Sequence, residues 1–350
     1  MASEQPSTRP PTIHDVAQRA GVHPATVSRA LNRPDMVADD TRAAVLDAVQ
    51  AVGFVPNRSA RQLVSGRSDA IGVLVPDITN PYFGAIVRAI QGEARRDGLA
   101  VLIADTGAEA TEERLALSTL SRQVDGLVAV TPITDLGAAT VPVVQVNRSS
   151  RGIVGVVVDQ AAIARAALDH LFDLGHSHVA VVRGPSAYWS ASRRDRAVER
   201  MAVEIGPSGR RIELLGPAAA TFEGGRSAFG EVARSGASAV VAFNDLQATG
   251  LLVAAQEAGR SVPESLSVVG SDDVALATMT SPPLTSVAAP LGQLGVVARR
   301  RLGDLLAGNP GPLLTTLAPQ LVARATSAAP PTTRSSARHR QGRNDLVQTS

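Results

Sequence analysis

TIHDVAQRAGVHPATVSRALN, Thr12 to Asn32, decides how this chain is read, because its residue order specifies two short helices around a tight turn. Val16, Ala17 and Ala20 recur at helical spacing after Asp15, Gly21 tolerates the positive φ that stops a helix, and Val22 anchors the turn. Pro24 suits the first turn of the second helix, whose inward stripe is Val27, Ala30 and Leu31. Ala25, Thr26, Ser28, Arg29 and Asn32 then face outward. That face is small and hydrogen-bonding, with one guanidinium, and it suits a helix that enters a major groove to touch phosphates and base edges. An ordinary helical hairpin with a solvated polar face is the alternative.

The segment that follows favours the first reading. A third amphipathic helix, Asp40 to Val52 with Val45, Leu46 and Val49 inward, can close a three-helix bundle, and GFVPNRSARQLVSGRS comes next. Together, DVAQRAGV, ATVSRALN, GFVPN and NRSARQLVSGR resemble the lactose/galactose repressor family in order and spacing. The resemblance runs on to about Arg324 through IGVLVPDITNPYF (71–83), VDGLVAV (124–130), LGHSHVAVVRGP (174–185), ND (244–245), VPESLSVVGSDD (262–273) and PPLTSV (282–287). It implies an all-α helix-turn-helix headpiece joined to an α/β periplasmic-binding-protein-like core of two doubly wound parallel-sheet subdomains. The DNA-contacting residues it implies are Thr12, His14, His23, Pro24, Ala25, Thr26, Ser28, Arg29, Asn32 and Thr41. Asn57, Arg58, Ala60 and Leu63 join them from a hinge that orders on the operator, Leu63 as a minor-groove wedge.

Composition agrees with a chain of two or three domains. Its 350 residues, 44% hydrophobic, can bury a sizeable core, and the absence of cysteine excludes disulfides and thiolate metal sites. MASEQPSTRPPT has no apolar core of a signal peptide and no run is long enough to cross a bilayer, so no membrane partner and a cytoplasmic, nucleoid-associated location are expected. All 34 basic residues are arginine, so the formal net charge of +2 coexists with a basic isoelectric point without implying a strongly basic surface. Positive charge lies at the two ends of the chain.

The expected divisions are a disordered arm (1–10), the headpiece (11–56), the hinge (57–68), an effector and dimerisation domain (69–326) and a disordered basic tail (327–350). Within 69–326 short apolar runs alternate with helical stretches: AIGVLVP, LAVLIAD, GLVAV, VPVVQV, IVGVVV, HVAVVR, SAVVAFN and LSVVG are the strand candidates. Helices are expected over 83–97, 161–174 and 246–258. Such alternation reads as parallel sheets covered on both faces, with ligands at the carboxyl ends of the strands. The family implies subdomains of roughly 69–158 with 290–316 and 159–289 with 317–326, the chain crossing three times and the ligand lying between them.

Only nine residues are aromatic, and Tyr82, Phe83, Tyr188 and Trp189 follow strands, where flat faces can meet a ring; a packed interface is their other use. Arg194, Asn244 and Asp272 also follow strands, and in the family the matching residues hold the effector; a surface ion pair or helix cap is the alternative for each. Asn147 replaces an aspartate common in the family and is followed by Arg148. Ala220 replaces an aromatic, with Phe222 two places on, and Ala289 and Ser271 also depart from the pattern. His23 replaces the usual serine or threonine, which puts the cap of the second helix in question.

Enzymatic readings find no support: there is no G-x-x-x-x-G-K-[ST], no lysine, no H-E-x-x-H and no G-x-S-x-G. His176 and His178 read as a structural turn, not a metal site, and no cofactor is expected. The expectation is a homodimeric, sequence-specific repressor on a pseudo-palindromic operator, controlled by a small molecule, first a sugar or sugar derivative. A purine- or nucleoside-responsive co-repressed regulator is the alternative; a sugar-binding protein without a DNA role is a third reading.

Overall fold

Two helices and a turn do form where Thr12 to Asn32 requires them. The computed structural model describes residues 9–54 and 67–331, with the backbone only at Asn32; the expected hinge residues Asn57, Arg58, Ala60 and Leu63 lie outside the described residues, as does the tail beyond 331. The chain divides into two units, one ending at Asp69 and one starting at Ala70.

In the first unit α1 (Ile13–Ala20) stops at Gly21, whose φ of 66° lets its N–H reach back to the last turn. α2 (Pro24–Asn32) starts with proline at its first position, and α3 (Asp39–Val52) ends at Gly53. The three helices bury Val16, Ala17, Val27, Ala30, Val45 and Ala48, a small core. Leu46 is not part of it: 45% exposed, it lies off the face that carries Val45, Ala48, Val49 and Val52, and Ala48 takes the inward position. His23 caps α2 after all, its Nδ1 accepting from the Ala25 N–H at 3.1 Å, so an imidazole does what a serine hydroxyl would do.

The second unit holds two six-stranded sheets. The first is built from β1 (Ala70–Val75), β2 (Ala100–Asp105), β3 (Gly126–Val130), β4 (Val143–Val146), β5 (Val154–Val158) and β11 (Leu314–Leu317), in the order β11-β5-β4-β3-β1-β2, all parallel. The second comprises β6 (His178–Val182), β7 (Arg211–Leu215), β8 (Ala239–Val241), β9 (Ser267–Asp272), β10 (Thr285–Ala288) and β12 (Gln320–Val322), in the order β12-β10-β9-β8-β6-β7, with β12 antiparallel. The central strands are fully buried, which is why they read as unbroken apolar runs. The chain passes between the sheets after Val158, after Ala288 and after Leu317.

Helices α4 (Pro81–Arg96), α5 (Ala110–Leu120), α6 (Gln160–Asp173), α7 (Trp189–Ile205), α8 (Phe222–Ser235), α9 (Asp245–Glu257), α10 (Leu276–Met279) and α11 (Leu291–Leu306) complete the fold. Although it follows β10, α11 packs on the first sheet: Leu294, Ala298 and Leu302 are buried, and a Cβ on Gly295 would stand 2.5 Å from the Ile86 carbonyl of α4. α8 and α9 approach as closely, since a Cβ on Gly225 would meet Gln247 O at 2.0 Å and one on Gly250 would meet Phe222 O at 2.0 Å. Among the described residues no helix is long and apolar enough to cross a membrane.

The tail does not begin at Ser327 as expected. Ser327 bonds His170 at 2.8 Å and Thr285 at 2.9 Å, and the Ala328 carbonyl accepts from Ser267 and lies 2.9 Å from His176 Nε2. These polar groups tie the residues after β12 to the second sheet. The arm likewise ends in structure, with Arg9 paired to Asp15 at 2.9 Å.

Candidate functional site

A cavity of about 430 Å³ lies between the carboxyl ends of the strands of the two sheets. From the first sheet it takes Pro76 and Asp77 after β1, Asp105 at the end of β2, Thr131 after β3, Asn147 after β4, and Tyr82 and Phe83 from the start of α4. The second contributes Tyr188 and Arg194 beyond β6, Phe243 and Asn244 after β8, and Asp272 at the end of β9. Gln160 and Ala289 line it from the crossovers.

Arg194 is the most constrained of these side chains. Buried on α7, it donates from Nε and Nη2 to Gln160 Oε1 at 3.2 and 2.9 Å, and from Nη1 to the Phe243 carbonyl at 2.6 Å and Ser271 Oγ at 3.2 Å. Its guanidinium lies 4.7 Å from the centre of the Phe243 ring, a cation–π contact. Burial lowers its proton affinity and the charge of Asp272 opposes that shift.

Asp272 ends β9 with φ of 108°, a left-handed backbone rare outside glycine, and its carboxyl is pushed well above the usual range by burial and then by Asp245. Strained, partly desolvated acids of this kind gather at functional sites. Asp245, directly behind, accepts from Ser286 Oγ at 2.6 Å and the Val274 N–H at 2.9 Å, and burial raises it to about 7. Asn147, also left-handed at φ 56°, donates to the Tyr82 hydroxyl while its own Oδ1 is buried without a partner. Tyr82 packs edge-on against Phe83, with centroids 5.2 Å apart.

Three expected effector residues are not on the cavity. Arg148 donates to Pro132 O at 2.9 Å and Ser150 Oγ at 3.2 Å, bracing the loop after β4. Trp189 begins α7 and stacks beneath Arg193 at 5.1 Å. Phe222 begins α8, where its carbonyl faces Gly250. Asn244 does line the cavity, yet its amide is committed: Oδ1 caps α9 through the Gln247 N–H at 2.8 Å and Nδ2 donates to Ala220 O at 2.9 Å. Phe243 and Gln160 escaped the sequence reading, although both sit just after strands, the position that marked the others.

On the headpiece, Ala25 and Arg29 are exposed on α2 and Pro24, Thr26 and Ser28 half-buried; His14 is exposed on α1 and Thr41 half-buried on α3. Thr12 donates its hydroxyl and N–H to Asp15 at 2.8 and 2.7 Å, closing the N-terminus of α1.

Residues 12–57 match the family described as bacterial regulatory proteins, lacI family, and residues 168–327 match the periplasmic binding protein-like domain. The HTH-type transcriptional regulator GalS of Salmonella typhimurium is 34% identical over 302 residues, covering 82% of this chain and 87% of its own. The chain belongs to the LacI family. Like its relatives, it is a DNA-binding transcriptional regulator and not an enzyme. The lac repressor dimer bound to operator and the anti-inducer ONPF superposes with a TM-score of 0.82 at 28% identity, over 92% of this chain and all of that one. The transcriptional regulator CelR–cellobiose complex gives 0.66 at 27% identity, over 91% and 100%.

Proposed function

We propose that this LacI-family regulator is a repressor that binds a pseudo-palindromic operator as a homodimer and is controlled by a sugar or sugar derivative in the cavity between its sheets. The observation that carries the effector reading is the cavity's unmet demand for donors. Asn147 Oδ1 is buried without a partner, and the described contacts bring no hydrogen bond to the Asp272 carboxylate. Arg194 spends its donors on Gln160, Phe243 and Ser271. A compound with several hydroxyls satisfies those acceptors, while Tyr82 and Phe83 bring apolar ring surface to the cavity lining. The cellobiose complex of the structurally similar transcriptional regulator CelR supports the same class. The operator-bound dimer of another supports two copies, since one recognition helix reads only a few base pairs.

Titration calorimetry of the full chain against cellobiose, D-ribose, D-galactose, adenosine and cytidine, paired with operator gel shifts, tests this reading. A sugar should bind and weaken operator binding. Arg194→Ala and Asp272→Asn should each lose the response while operator affinity survives; normal sugar affinity in both variants refutes the assignment. Loss of operator binding in those variants, with a nucleoside that strengthens it in the wild type, would establish the co-repressor alternative.

A further inference from the structure

We propose that Gln160 is a positioning residue of the cavity: it holds Arg194 from the crossover between the sheets, so that a compound bound against Arg194 is felt at the end of the first sheet. The proposal rests on the reading of the cavity as the effector site.

Gln160 is buried at the first position of α6, two residues beyond Val158, the last residue of β5. Its planar amide is divided between the two lobes. Oε1 accepts from Arg194 Nε and Nη2 at 3.2 and 2.9 Å, and Nε2 donates to the Val158 carbonyl at 3.2 Å. The orientation of the amide is fixed by its neighbours, because a guanidinium only donates and a carbonyl only accepts. Arg194 is meanwhile held on its other side by Phe243 and Ser271 of the second lobe.

Two consequences follow from the residue type. A neutral amide orients the guanidinium without neutralising it, so the positive charge stays available to Asp272 and to a ligand. Because one amide serves both partners, Oε1 on Arg194 and Nε2 on Val158, a displaced Arg194 strains one of the two bonds unless the Gln160 side chain or the crossover moves with it. A movement at Arg194 therefore bears on the first crossover, and a movement of the crossover bears on Arg194. Two substitutions separate these roles. Gln160→Glu keeps an acceptor for Arg194 but has no N–H for Val158; Gln160→Met, of similar length, has neither.

The first arm of the test needs no effector. In the 1H–15N spectrum of arginine-labelled full-length protein, the Arg194 Nε–H signal, assigned by its loss in Arg194→Lys, should shift and exchange faster with water in Gln160→Met, and stay protected in Gln160→Glu. The second arm uses the calorimetric panel of cellobiose, D-ribose, D-galactose, adenosine and cytidine. For the compound that the wild type binds most tightly, Gln160→Met should weaken binding by about tenfold or more, the scale of losing hydrogen bonds to a charged group. Gln160→Glu should restore most of that affinity, yet the compound should change operator affinity by a smaller factor than in the wild type. An unmoved Arg194 signal in Gln160→Met overturns the positioning role. Wild-type binding and wild-type operator response in both variants overturn the coupling. If the wild type binds no member of the panel, the effector reading and the coupling both fail, while the spectrum still decides whether Gln160 holds Arg194. Should Gln160→Met fail to fold, Gln160→Glu alone decides: an undiminished operator response refutes the link to Val158.

Discussion

Gly250→Ala, a change of one methyl group, should destabilise the second lobe measurably. The new Cβ would stand 2.0 Å from Phe222 O and 2.8 Å from Arg226 N, both backbone atoms of α8, where ordinary contact begins near 3.4 Å. Helices α8 and α9 would have to part by about 1.4 Å in an interior packed to crystal-like density, at a cost on the order of 1–3 kcal/mol or more. Alanine's helix propensity returns at most about 1 kcal/mol. A net loss of about 1–2 kcal/mol lowers the melting temperature of a domain this large by roughly 2–8 °C. Gly92→Ala is the matched control: it sits exposed within α4 with nothing within 4 Å of the added carbon, and it should stabilise by up to about 1 kcal/mol. Differential scanning calorimetry of the three proteins decides the matter. A Gly250→Ala protein that melts as high as the wild type would show that the helices give way without cost, and the packing argument would be wrong.

Arg29→Ala should weaken operator binding by about 1–3 kcal/mol and relax base preference at one position per half-site, as read by gel titration on an operator library; unchanged affinity and preference would remove Arg29 from base recognition. Stability should fall between about pH 4 and pH 7, because the folded chain holds the Asp245 proton up to about 7 whereas the unfolded chain releases it near 3.8. Each pH unit in that window costs up to about 1 kcal/mol, Asp272 acts in the same direction, and Asp245→Asn should flatten the profile of urea midpoints; an equally steep profile in the variant would count against it. Leu63→Ser should abolish most operator bending in a phasing assay while leaving salt-sensitive nonspecific binding nearly intact; equal bending would reduce the segment to a tether.

What could be read from the residues was whatever two faces of burial imprint on them. GLVAV and IVGVVV are strands with no exposed side, so every position is apolar and the pattern is unmistakable. RIELL, which became β7, is half-exposed at a sheet edge and holds Glu213 in pairs with His178 and Arg211, so its composition does not announce a strand. β11 and β12 are shorter still and border their sheets. Within the cavity, position after a strand was legible but direction was not. Trp189 and Arg194 lie on one helix, and only the rotation of that helix sends Arg194 inward and Trp189 toward Arg193. Asn244 carried two meanings in the sequence, ligand contact or cap, and the geometry shows the cap. The left-handed backbone at Asn147 and Asp272 has no sequence signal beyond the tolerance of those residue types for it.

The route of the chain between the sheets also sets a timetable for synthesis. A nascent chain that has just emerged through Val158 owns five strands of its first lobe, yet α11 and β11 arrive only after every strand of the second lobe except β12. At about 5–20 residues per second, that delay is on the order of ten to thirty seconds. Throughout it, the edge of β5 lacks its β11 neighbour and the face of α4 around Ile86 and Ile90 lacks the helix that will cover it. The half-made lobe therefore carries an unpaired strand edge and an uncovered apolar helix face through that interval, and it completes itself only when residues from beyond the second lobe come back to it.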